Sequence, residues 1–210
     1  MAEGVRRRPV QQRSIERVAR ILDACAHLLD EVGYDDLTAV EVARRAGVPT
    51  GTIYQFFDGK TGMLRALAMR NMDLLLHRLR GHLREGVELT WPSAAEMVMD
   101  ETLDMRRTVP GFSVMDFGDS RVTGHTFLPP GSSPEGGDAL VEALYDLATR
   151  EAGLPPLPDP MRMVSLAIEI GSVALKRAFV ISPTGDVPML DLAHRLIRLY
   201  FTEVASPERD

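Results

Sequence analysis

The chain has 210 residues, 45% of them hydrophobic, and a formal net charge of −6; this composition excludes wholesale disorder and suits one or two globular domains. A single cysteine, Cys25, excludes an intramolecular disulfide, and the charge is divided: residues 1–80 carry 13 Lys/Arg against 10 Asp/Glu, residues 81–210 carry 11 against 20. A mildly basic front fits phosphate contact and an acidic back repels it, so the two parts have different partners.

Residues 1–12, with Arg6, Arg7 and Arg8, read as a disordered basic arm, serving either to track a DNA backbone or minor groove or simply to solubilise the chain. No apolar run follows the RRRP cluster, so a secretory signal is not expected and the cytosol is. Val18, Ile21, Leu22, Cys25, Leu28, Leu29 and Val32 recur at helical spacing, and Gly33 stops that first helix. Cys25 lies on the apolar stripe, which favours a buried structural thiol over a redox sensor. Asp35 and Asp36 follow Gly33, where Asp serves turns rather than acid–base chemistry. Thr38 and Glu41 form a T-x-x-E capping box that opens the second helix. Val42, Ala43 and Ala46 face inward, Gly47 ends the helix in a left-handed conformation and Val48 plugs the angle. The third helix runs from Thr50 to Phe57, with Ile53 and one or both phenylalanines inward. Two short helices across a Gly-Val-Pro turn, from Thr38 to Lys60, make a helix-turn-helix pattern.

From Lys60 the repeat Leu64, Leu67, Ala68, Asn71, Leu75, Leu79 and Leu83 predicts a helix of about six turns. Trp91-Pro92 breaks the pattern, Ser93 caps a fifth helix to about Val109, and Pro110-Gly111 ends it. A short apolar segment spans Phe112 to Phe117. Residues 118–136 are rich in Gly, Pro and Ser and read as a loop that is either disordered or a mobile lid. Leu140–Ala152 is helical, Gly153–Pro160 is a stiff connector, and Met161–Ile181 and Val187–Ala205 are the last helices. No strand pattern or internal repeat occurs. The expected architecture is all-α with about nine helices: a basic arm (1–12), a helix-turn-helix domain (13–59) and a helical bundle (60–210). The apolar window Met163–Leu175 is interrupted by Glu169 and closed by Lys176 and Arg177, too short and too charged to span a bilayer.

The last two helices are apolar on more than one face, which suggests a two-fold dimer through a four-helix interface, with burial inside one subunit as the alternative. The interface candidates are Ala167, Gly171, Ala174, Leu196 and Tyr200. Trp91, Met97, Met105, Phe112, Met115, Phe117, Phe127 and Met163 are candidates to line an adaptable apolar pocket, against a competing reading as ordinary core. Arg106 and His125 are candidate polar contacts, against a reading as solvent-exposed side chains. His77 and His82 lie about 140° apart around a helix and do not share a metal-binding face. With no Walker loop, no G-x-S-x-G, no Cys pair and no dinucleotide strand pattern, neither an enzyme nor a metal or organic cofactor is expected.

The segment from Ala19 to Leu67, above all ILDACAHLLDEVGYDDLTAVEVARRAGVPTGTIYQFFDGKTGML, resembles the DNA-binding domain of the TetR family of bacterial transcriptional regulators. The resemblance implies a cytoplasmic, nucleoid-associated homodimer whose N-terminal helices bind double-stranded operator DNA and whose C-terminal bundle holds an effector pocket and the dimer interface. It places Thr50, Gly51, Thr52, Tyr54 and Gln55 toward the major groove, and Lys60 and Thr38 on phosphates. Pro49 departs from the small polar residue common before the recognition helix. Residue chemistry agrees: Gly51 permits close backbone approach, and Gln55 can pair bidentately with adenine. Tyr54 remains open to a packing role and Lys60 to plain solvation. The implied function is a ligand-responsive regulator, by family default a repressor, released from an inverted-repeat operator by a small apolar or aromatic effector. The alternative is a small-molecule-binding helical protein of the same fold without specific DNA binding.

Overall fold

The computed structural model describes residues 8–84, 88–115 and 139–205. Among them are eight α-helices and no strand: α1 (Arg8–Asp36), α2 (Ala39–Ala46), α3 (Thr50–Phe56), α4 (Gly59–Leu83), α5 (Trp91–Thr108), α6 (Ala139–Asp146), α7 (Pro160–Ile181) and α8 (Val187–Val204). A 3-10 turn at Phe112–Met115 and a π turn at Leu147–Glu151 complete the described secondary structure. The fold is all-α, as the pattern predicts. α1 begins inside the stretch expected to be an arm, so residues 8–12 are helical; residues 1–7 lie outside the described residues, as does the whole of the 118–136 loop region together with Phe117, His125 and Phe127.

The chain divides into two units. The first contains the residues up to Arg70 and the short segment Val109–Val114, and the second contains Asn71–Thr108 and the residues from Met115 onward. The division falls within α4, beyond the boundary near residue 60 that the pattern suggests. The physical reason is that Met63, Leu64, Leu67 and Ala68, at the start of α4, are fully buried alongside the core of the first unit.

The first unit is held by Ile21, Cys25, Leu28, Leu37, Val42, Ala43 and Ile53, all buried. Its turns follow from a few residues. Gly33 adopts φ 75, ψ −179, a region essentially reserved for glycine, and breaks α1 there. Thr38 caps α2, its Oγ1 accepting the Glu41 N–H at 3.2 Å. Gly47 ends α2 at φ 65, ψ 37, and the Val48 N–H reaches Ala43 O at 3.0 Å, the long bond of a Schellman cap.

The second unit is built on α5, α6, α7 and α8, with α8 packed against both α5 and α7. Trp91 is the centre of its aromatic core. It is stacked between Tyr145 and Phe201, with ring centroids 5.9 Å and 5.7 Å away, and its indole N–H donates to Pro155 O at 2.9 Å. The cap of α5 differs from expectation, because Ser93 is not the first residue. Thr90 precedes the helix, its N–H donating to Ser93 Oγ at 2.8 Å while its own Oγ1 accepts the Ser93 N–H at 3.4 Å. This reciprocal pair leaves Pro92 in the first turn, where a missing N–H costs nothing. Among the described residues no helix is long and apolar enough to cross a membrane.

Candidate nucleic-acid interface and effector cavity

A seven-residue helix such as α3 does not persist alone in water. It is held by Ile53, which is fully buried and whose truncation to alanine would cost about 2–5 kcal/mol. Pro49 offers no side-chain cap, and the helix instead closes backbone bonds from Thr52 N–H to Pro49 O at 2.8 Å and from Phe57 N–H to Ile53 O at 2.8 Å. With Ile53 inward, Gly51, Tyr54 and Gln55 share the exposed side at spacings of three and four. Tyr54 is 63% exposed, which removes the packing role considered for it.

Thr52 is placed differently from the other members of the sequence-derived set. It is 8% exposed, buried next to Ile53, and so is not presented with Tyr54 and Gln55. Thr50 is half-buried, Thr38 exposed. Neither phenylalanine following Gln55 is fully buried; Phe56 is exposed and Phe57 half-buried, with their rings tilted at a centroid distance of 6.4 Å.

Lys60 is neither simply solvated nor idle. Its Nζ donates to Asp35 O at 3.3 Å and sits 4.2 Å from the centroid of the Tyr34 ring, pinning the turn that Gly33 begins. One of its three N–H donors is used in this way. The two arginines of α2 are each tied to a carboxylate. Arg44 bonds Glu41 through Nε at 3.0 Å, and Arg45 bonds Glu31 of α1 at 2.5 Å. Those guanidinium bonds hold both carboxyls below the usual carboxylate range. Glu41, the last residue of the capping box, therefore spends its side chain on Arg44.

Gly51 is informative because the fold does not require it. A Cβ built there meets nothing within 4 Å, and its backbone is ordinary helix. Glycine in a helix costs up to about 1 kcal/mol relative to alanine. The protein bears this cost at a position where, among the described residues, nothing would crowd a side chain, beside two exposed polar side chains.

The second unit contains a partly open cavity of about 120 Å³ lined by residues of α4, α5, α6, α7 and α8. Small residues leave the space: Ala94, Ala95, Ala167 and Gly171 line it together with Trp91, Phe201 and Leu75 of α4. Of the eight pocket candidates read from the sequence, Trp91 lines the cavity. Met97 and Met163 are half-buried elsewhere, Met105 is fully buried core, and Phe112 is buried in the first unit. Met115 lies at the edge of the described residues. Arg106 stacks over the Phe179 ring, with its guanidinium carbon 5.1 Å from the centroid, rather than reaching the cavity. Among the described residues no group of three or more His, Cys, Asp or Glu could hold a metal, and His82 is instead bonded to Glu101 at 2.8 Å.

The dimer candidates also separate. Ala167 and Gly171 belong to the cavity wall, Ala174 packs against the core, and Tyr200 donates its hydroxyl to Met163 O at 3.0 Å. Only Leu196 is on an outward face. The exposed large apolar residues are Leu166, Val173, Val180 and Ile181 on α7, and Val187, Leu192, Leu196 and Leu199 on α8. The seven-residue spacing of Leu166, Val173 and Val180 is the signal in the sequence that would have found the row on α7.

Comparison with known proteins accords with this arrangement. Residues 21–67 match the family model described as bacterial regulatory proteins, tetR family. Over 91 residues the chain is 37% identical to an HTH-type transcriptional regulator BetI of Escherichia coli O45:K1, covering 41% of this chain and 46% of that protein. The chain thus aligns with less than half the length of the curated relatives it matches. A crystal structure of a TetR-family transcriptional regulator from Streptomyces coelicolor superposes with a TM-score of 0.74 at 40% identity, covering 90% of this chain and 99% of that one. A TetR regulator from Rhodococcus sp. RHA1 (22% identity, TM-score 0.64, 95% and 100% coverage) and RolR solved with resorcinol (17%, 0.52, 95% and 98%) share the fold. The similarity along the whole Streptomyces coelicolor chain, with the helix-turn-helix geometry of α2 and α3, places this protein in the TetR family of transcriptional regulators.

Proposed function

We propose that the protein is a ligand-responsive repressor that binds an inverted-repeat operator as a homodimer and releases it when a small apolar or aromatic molecule occupies the cavity. The observation that carries the reading is the outer side of α3, where Gly51, Tyr54 and Gln55 stand exposed on a helix fixed by Ile53. Gln55 offers an amide that matches adenine in the major groove, and Gly51 lets the backbone approach. Thr38 and Lys60, at the starts of α2 and α4, are positioned for phosphate contacts, with Lys60 retaining donors beyond the one given to Asp35. The outward rows on α7 and α8 supply the apolar surface for a second copy, and a two-fold dimer calls for a palindromic site.

Two stretches connect the cavity to the reading head. α4 carries Leu75 on the cavity wall and Leu64 and Leu67 in the first unit's core. α5 carries Ala94 to Thr102 past the cavity and continues into Val109–Val114, which belongs to the first unit. An effector that binds the free form more tightly than the operator-bound form then weakens DNA binding by the same factor, typically about 5–150-fold. RolR, which shares the fold, was solved with resorcinol, a small aromatic molecule.

The test is fluorescence anisotropy with a labelled duplex from the region upstream of the protein's own gene. Tight, salt-dependent binding that Gln55→Ala weakens about tenfold or more is the expected result. Binding indifferent to Gln55→Ala and Tyr54→Ala would overturn the assignment of α3 as the reader.

A further inference from the structure

The cavity wall has a polarity that selects its occupant. Among its described lining residues, only Trp91, Thr102 of α5 and Ser172 of α7 carry a polar side-chain atom, and the rest are apolar or glycine. Each hydroxyl has one proton, and each gives it to its own helix: Thr102 Oγ1 donates to Val98 O and Ser172 Oγ to Ile168 O, both at 2.7 Å. Each oxygen is then left as an acceptor. The indole N–H is already given to Pro155 O at 2.9 Å. None of the described lining residues is ionisable. Glu101, the neighbour of Thr102 in the chain, is engaged by Arg78 at 3.0 Å and His82 at 2.8 Å.

We infer that the cavity's ligand is a neutral alcohol or phenol of about benzene's size, which donates its O–H to Thr102 or Ser172. The inference rests on the reading of this cavity as the effector site. The volume of about 120 Å³ is of the order of the roughly 150 Å³ apolar cavities that hold benzene. A carboxylate or ammonium would shed its hydration against described lining residues that carry no counter-charge. An ether or ketone would set lone pairs against lone pairs. A hydrocarbon fits but forms no hydrogen bond, so Thr102 and Ser172 act as the specificity-determining residues.

Isothermal titration calorimetry of the full chain with phenol, toluene, benzyl alcohol and benzoate tests this directly. Phenol is expected to bind at least about fivefold more tightly than toluene, the usual value of one net hydrogen bond. Benzoate is expected to bind at least about a hundredfold more weakly than benzyl alcohol, its neutral size match. Thr102→Val or Ser172→Ala is expected to erase the advantage of phenol and leave toluene unchanged, which general damage to the fold would not do. Benzoate binding as tightly as benzyl alcohol, phenol binding no better than toluene, or no binding by any of the four would overturn the inference. Anisotropy with the upstream duplex separates the two readings. Phenol that binds without altering DNA affinity refutes effector control and leaves the ligand class standing, whereas release of the duplex by a charged molecule bound in this cavity refutes the ligand class and leaves effector control standing.

Discussion

Replacing Gly111 by alanine tests whether the segment after α5 is built into the reading head. Gly111 has φ 68 and Gly47 has φ 65, so alanine at either position meets similar left-handed backbone strain, about 1–2 kcal/mol. Their surroundings differ. At Gly47 an added Cβ meets nothing within 4 Å, whereas at Gly111 it would lie 2.7 Å from Ala26 Cα, 2.8 Å from Ala26 Cβ and 3.1 Å from Leu67 Cδ2. Ala26 belongs to the backbone wall of α1 and cannot swing aside. Relieving that overlap adds about 1–3 kcal/mol, and the shift also strains the bond from the Gly111 N–H to Asp30 Oδ2, 2.7 Å long. The expected losses are therefore about 2–5 kcal/mol for Gly111→Ala and about 1–2 kcal/mol for Gly47→Ala. Both residues lie in the first unit, and urea unfolding followed by circular dichroism compares the two variants. A loss at Gly111 no greater than at Gly47 would refute the claim that α5 delivers its end into the head.

Gly51→Ala is expected to do the opposite, raising stability by about 0.5–1 kcal/mol because the fold has room for the methyl, while weakening binding to the upstream duplex; thermal melts and anisotropy on the same sample report both. Val173→Asp combined with Leu196→Asp puts charge on outward apolar positions of α7 and α8, and sedimentation should show monomers that retain the wild-type circular dichroism spectrum and bind the duplex weakly. The Cys25 thiol is pushed up to about 12 by burial, from an ordinary value of 9.0. Its folded value lies above its unfolded one, so the stability gained by keeping it neutral is complete below about pH 9 and is lost between there and about pH 12. Denaturation midpoints of wild type and Cys25→Ala should converge or cross over that range, and a thiol reagent at pH 8 should react only after unfolding.

The head was largely legible because its signals are local. Thr38 caps α2, Gly47 ends it and Gly33 breaks α1, each through bonds or dihedrals set within a few residues. The burial of Thr52 was not legible, since seven residues give too little periodicity to decide which neighbour of Ile53 turns inward. Phe112 escaped for a different reason. The segment it belongs to returns to the first unit, with Gly111 bonding Asp30 across 81 residues of sequence, and no local pattern announces such a return. Of the large apolar side chains that are pocket candidates, Trp91 lines this cavity. A void is made where side chains are small, and Ala94, Ala167 and Gly171 carry no signal of that in composition. Ala167 and Gly171, named as interface candidates, line the cavity, because small residues at helical spacing read the same whether they face a void or a second copy.

The central claim is that α3 reads DNA as half of a two-fold pair. Hydroxyl-radical footprinting of the upstream region with the full-length protein measures this most directly. The expected result is two protected half-sites of inverted sequence with centres one helical turn or slightly more apart, about 34–36 Å per turn, both lost together with Gln55→Ala. A single unrepeated footprint, or uniform protection without sequence preference, would contradict it.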